Sequence, residues 1–335
     1  MTDQLPLFDE PAPAPDPLDT ALAESRADAA SLQRDLPATL FYGTSSWSFP
    51  GWRGIVYPST LQPGAIARDG LREYARHPLL RTVGIDRSYY APVPVEDLRH
   101  YASQLPPGFP ACVKAPAAVT ALELGPPMRG QANPDFLNGE RLVDDLLGPL
   151  SIGMPGHLGP ILLEFPPFPR HQRLPAAEFL GRLDRFLEQL PRSFAYAVEL
   201  RDASLLTPAY HALLRRHGVA HVFNYWSAMP MPLQQSRTVG IDTAAFAVVR
   251  LLLRPGTWYE DQRERFRPFN RLVDVNQTMR DEVTALSEAV LKSGRKVYVL
   301  VNNKTEGSSP LTIMALARQL AERIRRRRPP ALAGK

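Results

Sequence analysis

Short apolar runs alternate along most of the chain with segments whose apolar residues recur at helical spacing. The apolar runs predict strands at Leu40–Ser45, Arg81–Asp86, Ala111–Lys114, Pro160–Glu164, Ala195–Arg201, Val219–Asn224, Phe246–Leu252 and Val297–Asn302. The segments between them predict helices near Ile66–Arg76, Val95–Gln104, Phe136–Leu147, Ala177–Gln189, Pro208–His217, Arg271–Lys292 and Thr312–Arg326, with a weaker one after Asn224. Eight strands that alternate with helices predict a single (β/α)8 barrel of TIM type, in the α/β class. A doubly wound open sheet is the alternative, but no Gly-rich dinucleotide fingerprint follows the first strand.

The fifth predicted strand lies within Phe194–Asp202 and ends abruptly in charge. Glu199 and Arg201 have the same parity as Ala195 and Ala197, so all four side chains point to one side of the sheet. The small residues lie deep and the charged ones lie at the C-terminal end, where barrels of this type carry their sites. A structural ion pair that closes the strand is the alternative interpretation.

Other predicted strands also end in polar or aromatic side chains that would meet at the same mouth. The candidates for catalysis are Glu199, Lys114 and Glu164, and the candidates for ligand binding are Trp47, Asp86, Tyr89, Arg201, Asn224, Arg250, Asn302 and Asn303. The cations suit an anionic ligand such as a phosphate or a carboxylate. Glu199 would act as a general base unless its pair with Arg201 holds it too acidic. Aromatic side chains in the same loops offer stacking faces for a base or a sugar.

Composition places the chain among ordinary globular proteins, with 44% hydrophobic and 22% charged residues. No apolar run approaches the roughly 20 residues that span a bilayer, and the N-terminus is acidic and Pro-rich, unlike a signal peptide. We therefore expect a cytoplasmic protein with no membrane partner. The single cysteine, Cys112, excludes an internal disulfide and a multi-cysteine metal site.

The two ends of the chain differ in character from its centre. Residues 1–36 are predicted to be a flexible tail, in which residues 18–34 could form a short helix, and the barrel is predicted to span 37–322. Residues 323–335 form a basic C-terminal tail that carries much of the net charge of +5. A solvated helix end explains such a run, and phosphate attraction is the alternative.

A short apolar motif stands near the start of the N-terminal tail. Gln4, Leu5, Leu7 and Phe8, in the order Gln-Leu-Pro-Leu-Phe, resemble the linear motif by which bacterial replication and repair proteins bind the sliding clamp. A disordered tail can order on binding and seat the leucine and the phenylalanine in an apolar pocket. The sliding clamp is therefore a predicted partner. The alternative is an apolar tail that folds back on its own domain.

Several motifs occur in an order that resembles a known family. They are Gly43–Trp47, Gly51-Trp52, Tyr57-Pro58, Thr82–Tyr90, Pro107–Phe109, Gly159–Pro167, Val198–Asp202, Val249-Arg250 and Asn302-Asn303. Together they resemble the DUF72 family, also called YecE-like. The resemblance implies a single TIM-type barrel, and it implies no activity because none is established for the family. The chain departs from the family pattern at Gly84, where many members have Glu, and at Glu164-Phe165, where many have Phe-Gln.

Metal chemistry is a further hypothesis for the mouth. Metal-dependent AP endonucleases on a similar barrel use several histidines at strand ends, whereas the seven histidines here lie mostly in predicted helices or loops. A Mg²⁺ or Mn²⁺ site built only from Asp86, Glu164 and Glu199 remains an option.

Three functions compete on these observations. The first is a DNA-repair or replication accessory barrel, tethered to the clamp, that binds DNA or a phosphorylated small molecule and hydrolyses a phosphodiester or nucleotide. The second is a sugar-active hydrolase that uses Glu164 and Glu199 as a carboxylate pair, which a separation of more than about 10 Å would remove. The third is a non-catalytic ligand-binding module, since the sequence offers no complete nucleophile, base and orienter set.

Overall fold

The structure is a computed structural model that describes residues 16–125, 128–169, 171 and 173–327. Within them, eight parallel strands close into a barrel in sequence order. The strands are β1 (Leu40–Thr44), β2 (Leu80–Ile85), β3 (Ala111–Lys114), β4 (Leu158–Phe165), β5 (Tyr196–Leu200), β6 (Ala220–Tyr225), β7 (Phe246–Leu251) and β8 (Lys296–Val301). The predicted (β/α)8 barrel is confirmed.

Helices follow the strands and pack around the outside of the barrel. They are α1 (Pro17–Arg34), α2 (Ile66–Asp69), α3 (Leu71–Ala75), α4 (Val95–Ala102), α5 (Ala117–Thr120), α6 (Gly139–Leu142), α7 (Gly148–Gly153), α8 (Ala176–Gln189), α9 (Pro208–His217), α10 (Pro232–Val239), α11 (Tyr259–Phe266), α12 (Gln277–Lys292) and α13 (Ser309–Arg327). A π-helical turn at Val143–Leu147 joins α6 to α7. None of the helices in the described ranges combines the length and apolar character needed to cross a bilayer.

Two predicted helices differ from the observed ones for local reasons. The predicted segment Ile66–Arg76 divides at Gly70 into α2 and α3. Helix α12 begins at Gln277 rather than at the predicted Arg271, because the side chain of Asn276 accepts a hydrogen bond from the Met279 amide at 2.9 Å and caps the helix.

An apolar layer fills the lower part of the barrel interior. It is built from Cys112, Leu162, Ala197, Ala220, Val222, Ala244, Val248, Tyr298 and Leu300, with Phe41 and Phe246 packed against it. The Phe41 and Tyr298 rings stack with centroids 4.8 Å apart. These positions lie on alternating residues of their strands, as expected for side chains that point into a closed barrel.

The short helix that the sequence suggested at residues 18–34 is present in the structure. Residues 17–34 form α1, and its residues Ala29 and Leu32 are buried in the main core. Asp19 of α1 accepts two hydrogen bonds from Ser59, in the loop after β1, each at 2.8 Å. Because α1 also leads directly into β1, it runs antiparallel to that strand. Its first residues therefore lie at the end of the barrel where the strands terminate.

The basic C-terminal run belongs in part to α13 and is paired there. Arg325 contacts Asp35 at 2.6 Å, and Arg327 contacts Glu288 at 3.1 Å. Longer contacts of 3.9 Å join Arg323 to Glu288 and Arg326 to Glu322. Three of these arginines join α13 to neighbouring segments, and Arg326 pairs within the helix, so the run between 323 and 327 is a helix end with carboxylate partners.

Candidate functional site

A layer of charged side chains closes the barrel directly above the apolar layer. Its members are Asp86, Lys114, Glu164, Glu199, Arg201 and Arg250, which we call the charged layer. Most follow an apolar-layer residue by two positions on the same strand, as Lys114 follows Cys112 and Arg250 follows Val248. The alternation of the strand therefore aims both residues of such a pair into the barrel. The charged strand ends predicted from the sequence do meet at one mouth.

Arg250 is the centre of this layer. Its Nη1 atom lies 2.5 Å from Glu199 Oε2 and 2.9 Å from Glu164 Oε2. Its Nη2 atom lies 3.3 Å from Asp86 Oδ2. One buried guanidinium thus holds carboxylates from three strands or their ends, a geometry that suits its planar fork of donors.

Arg201 and Lys114 complete the pairing. Arg201 Nε donates to Glu199 Oε1 at 2.6 Å, and its Nη2 donates to Glu164 Oε2 at 2.7 Å. Lys114 Nζ lies 3.0 Å from Glu164 Oε2. Three carboxylates therefore face three cations, so the layer has no excess formal charge. Glu199 has no solvent exposure, and each of its two oxygens contacts an arginine.

The pKa values of Glu164 and Asp86 are shifted in opposite directions. Burial raises the pKa of Glu164, but Arg201, Lys114 and Arg250 outweigh it and lower that pKa to about 2. For Asp86, burial raises the pKa, and Arg250 and Lys114 offset only part of the effect. The Asp86 side chain is also 30% exposed, whereas Glu164 and Glu199 are almost sealed. Asp86 is thus the carboxyl of this layer best placed to exchange a proton with a ligand.

Aromatic rings stand over the cations at the mouth. Tyr89 lies over Lys114 Nζ with its ring centroid 3.5 Å away, and Trp226 lies 4.0 Å from the Arg201 guanidinium carbon. Tyr259 covers Lys304 Nζ at 4.1 Å. These three rings, with the exposed Tyr90 and Trp258, are called the aromatic rim. Such contacts hold cation and ring together while leaving the opposite ring face for a ligand.

The remaining predicted ligand-binding residues have structural partners. Trp47 is buried and donates from Nε1 to the Ala67 carbonyl at 3.1 Å. The Asn224 amide donates to the Leu200 carbonyl at 2.7 Å. Asn302 accepts from the Lys304 amide at 3.0 Å, which shapes the loop that carries that lysine.

Asn303 is likewise held in the interior. Its Oδ1 atom accepts from the Trp52 indole at 3.2 Å and from the Ser309 amide at 2.8 Å. These contacts tie the loop after β1 to the start of α13. The sequence did not single out Lys304 or Tyr90 as site residues, although each lies within two positions of a predicted one.

The charged layer does not fit a divalent cation. In the part of the chain that the structure describes, no three histidine, cysteine or acidic side chains are arranged to hold a metal ion. Arg250 occupies the space between Asp86, Glu164 and Glu199 that such an ion would need. The Mg²⁺ or Mn²⁺ hypothesis therefore has no support from the donor set.

Open space lies on both sides of the short helical turn Arg87–Tyr89, which follows β2. On one side is a cavity of about 370 Å³ whose lining includes Asp86, Trp47 and Tyr101. On the other side is a cavity of about 570 Å³ whose lining includes Tyr89 and Tyr90. A ligand that approaches the mouth can thus reach Asp86 from one side and the aromatic rim from the other. The predicted clamp motif at Gln4–Phe8 lies outside the described residues.

Comparison with known proteins identifies the family. Residues 41–333 match the family described as protein of unknown function DUF72. A DUF72 family protein from Thermotoga maritima superposes with a TM-score of 0.54 at 22% identity, over 84% of this chain and 98% of the other. A DUF72 family protein from Enterococcus faecalis gives a TM-score of 0.54 at 19% identity, over 84% and 97%. No protein with a curated function matches. The match covers most of the chain, which therefore belongs to the DUF72 family.

Proposed function

We propose that this barrel binds a nucleic-acid strand, or another phosphate-bearing ligand with a planar ring, at its aromatic rim. The observation that carries the proposal is the set of three cation-ring pairs around one opening, Lys114 with Tyr89, Arg201 with Trp226 and Lys304 with Tyr259. Single-stranded nucleic acids are commonly held by this combination of stacking faces and cations.

Two strongly exposed rings extend the rim into solvent. Tyr90 is 82% exposed and Trp258 is 78% exposed, which is unusual for large aromatic side chains. Bases of a strand would stack on these rings, and the strand's phosphates would lie near Lys304, the rim cation that is not a member of the charged layer. The charge balance of the inner layer explains why the rim, and not the buried carboxylates, makes the first contact.

The proposed role is as an accessory factor in DNA repair or replication, tethered to the sliding clamp through Gln4, Leu5, Leu7 and Phe8. The described chain enters α1 beside Ser59, at the same end of the barrel as the mouth. A tether that leaves from this end would keep the mouth near the clamp, and hence near the DNA that the clamp encircles.

Hydrolysis of a phosphodiester or nucleotide is the catalytic form of the same proposal. Both oxygens of Glu199 are occupied by arginines, and Glu164 has a pKa of about 2, which holds it as a carboxylate. Lys114 then contributes charge, while Asp86 has the exposure and the raised pKa that proton transfer needs. Incubation with abasic, nicked and single-stranded DNA, with and without added Mg²⁺ or Mn²⁺, tests this form. If every substrate stays intact in every mixture, hydrolysis is refuted and only the binding function remains.

The low pKa of Glu164 argues against the sugar-hydrolase alternative, whereas the distance between Glu164 and Glu199 does not. Glu164 and Glu199 contact the same Arg250 nitrogen, so their separation suits a retaining carboxylate pair. Such a pair needs one carboxyl that carries a proton near neutral pH. Glu164, with a pKa of about 2, carries no proton near neutral pH, and both oxygens of Glu199 are already occupied by arginines. We therefore favour the binding function.

Binding of a fluorescent single-stranded oligonucleotide of about 15 nucleotides, followed by anisotropy, tests the proposal directly. We expect the affinity to weaken as salt rises, because phosphate contacts release counterions. Trp258→Ala and Tyr90→Ala should each raise Kd by about 5- to 100-fold, the effect of one lost stacking face. The matched control is Ile152→Ala, whose side chain is 59% exposed on α7 at the opposite end. Equal affinities in all variants, or no binding at all, would refute the proposal.

The tether is tested separately by calorimetry with a bacterial sliding clamp. The full chain should bind at micromolar affinity or better, and Leu7→Ala with Phe8→Ala should abolish binding. A double variant at Asp9→Ala and Glu10→Ala, just outside the motif, should bind normally. Absence of binding by the full chain would make the motif a coincidence and would leave the rim proposal standing.

A further inference from the structure

The cavity of about 570 Å³ beside the rim has no role in the binding described so far. Its walls are small and apolar on one side, with Ala118 and Ala121, and aromatic on the other, with Tyr89 and Tyr90. The two tyrosine rings meet edge to face, with centroids 5.2 Å apart. We call this space the side cavity. Its volume exceeds that of a single planar ring, and small-molecule sites are commonly clefts of this size.

The side cavity has two carboxylates, Glu123 and Asp145, among its polar groups. The Asn133 amide nitrogen donates to the Ala118 and Ala121 carbonyls, both at 2.7 Å, so its donors are used. Arg141 Nε donates to Asp145 Oδ2 at 2.5 Å. The carboxylates of Glu123 and Asp145 each have a second oxygen. Glu123 also lies 2.6 Å from His171 Nε2, through Oε1. A ligand that supplies a donor therefore finds carboxylate acceptors here, beside the remaining N–H groups of Arg141.

The charge of the lining disfavours a phosphate in this space. Two carboxylates line it, and the one lining arginine is already paired with Asp145. An anion would therefore meet like charge, whereas a neutral ring with an amino group would find acceptors and a stacking face. Tyr89 belongs to both the side cavity and the rim, where its ring covers Lys114. A strand held at the rim thus passes the entrance of the side cavity.

We propose that the side cavity receives one unstacked nucleobase with an exocyclic amino group, that is adenine, cytosine or guanine. This inference rests on the proposed function, because the rim is what would present the strand. The ring stacks against the tyrosine pair, the amino group donates to Glu123 or Asp145, and the backbone stays outside over the cations. Extrusion of a base into a protein pocket requires unstacking energy, which is smallest for a single strand.

Free nucleosides and cavity-filling variants test the inference independently of the rim. Saturation-transfer NMR on the full chain should show binding of adenosine and cytidine. Uridine and thymidine should bind more weakly by about 10-fold or more, because their one ring donor, N3–H, lies between two carbonyl oxygens that a carboxylate repels. Glu123→Gln should reduce this preference. Equal signals from all four nucleosides, or no signal, would overturn the proposal.

Ala118→Leu and, as a second filling variant, Ala121→Leu should remove nucleoside binding and weaken a dA15 or dC15 oligonucleotide more than a dT15 one. The control is Ala212→Leu, the same change on the exposed face of α9. Normal nucleoside binding in both filling variants, with intact folding by circular dichroism, would refute the side cavity as the site. If oligonucleotides fail to bind the wild-type chain while adenosine binds, the rim function fails and the side cavity stands.

Discussion

Two layers of the same barrel interior are built in opposite ways from neighbouring positions. The lower layer takes Cys112, Leu162 and Val248, and the upper one takes the residues two positions further on, Lys114, Glu164 and Arg250. The lower layer is nearly free of solvent, and so are the members of the upper one other than Asp86, which is 30% exposed. The lower one is stabilised by apolar burial, which is non-directional, and the upper one by pairing, which depends on geometry.

The difference explains where a ligand can act. An apolar layer offers nothing to bind, and the charged layer is already satisfied by its own members. What remains is the surface above it, where rings cover the cations and Asp86 is partly exposed. The charged layer therefore serves as an ordered floor that positions the rim.

Removing the central cation should have the largest effect on stability. Arg250→Met leaves Glu199 buried with one partner fewer, and we expect the free energy of unfolding to fall by about 3–5 kcal/mol. Val248→Ala, in the apolar layer of the same strand, should lower it by about 1–3 kcal/mol. Guanidinium unfolding measures both.

A second substitution separates loss of pairing from loss of packing. Glu199→Gln added to Arg250→Met removes the stranded charge, so the double variant should be more stable than the sum of the single effects by about 0.5–3 kcal/mol. Strict additivity, or an Arg250→Met variant within about 1 kcal/mol of wild type, would contradict the account of the charged layer.

Acid should weaken the charged layer in a defined pH window. The folded pKa of Glu164 is about 2, below the ordinary 4.5, so its contribution is present above pH 4.5 and is lost as pH falls toward 2. The contribution is about 3 kcal/mol. Urea unfolding at a series of pH values should show this loss in wild type, and Glu164→Gln should lack it.

Buried histidines provide an internal control for that experiment. Burial lowers the pKa of His77 and of His221 from 6.5 to about 4, so their destabilisation appears as pH falls from 6.5 to 4. Wild type and Glu164→Gln should therefore lose stability in parallel above pH 4.5 and diverge below it. Parallel curves down to pH 2 would exclude an ion-paired Glu164.

Burial in the apolar layer should make the thiol of Cys112 slow to react. Burial raises the pKa of Cys112 to about 12, so the native protein holds almost no thiolate at pH 8. Iodoacetamide should label Cys112 at least about 100-fold more slowly in the folded protein than in guanidinium, as intact-mass spectrometry would show. Comparable rates would indicate that water reaches the lower layer.

The sequence predicted the barrel and the charged strand ends because both depend on local periodicity. Alternation along β5 was enough to place Glu199 and Arg201 on one face, and the structure has them there. The pairing could not be predicted, because Arg250 meets Asp86 and Glu164 only through the closure of the barrel. The side cavity depends on how the segment after β3 packs beside Tyr89 and Tyr90, which carries no periodic signal.

Binding at the rim requires that a nucleic-acid strand contact the protein at the mouth of the barrel. Ultraviolet cross-linking of a single-stranded oligonucleotide to the full chain, followed by peptide mass spectrometry, locates that contact. We predict cross-links in the peptides that contain Tyr90 and Trp258, with their loss in Tyr90→Ala and Trp258→Ala. Cross-links confined to α13, with its arginines, or to the end of the barrel that carries Ile152, would contradict binding at the rim.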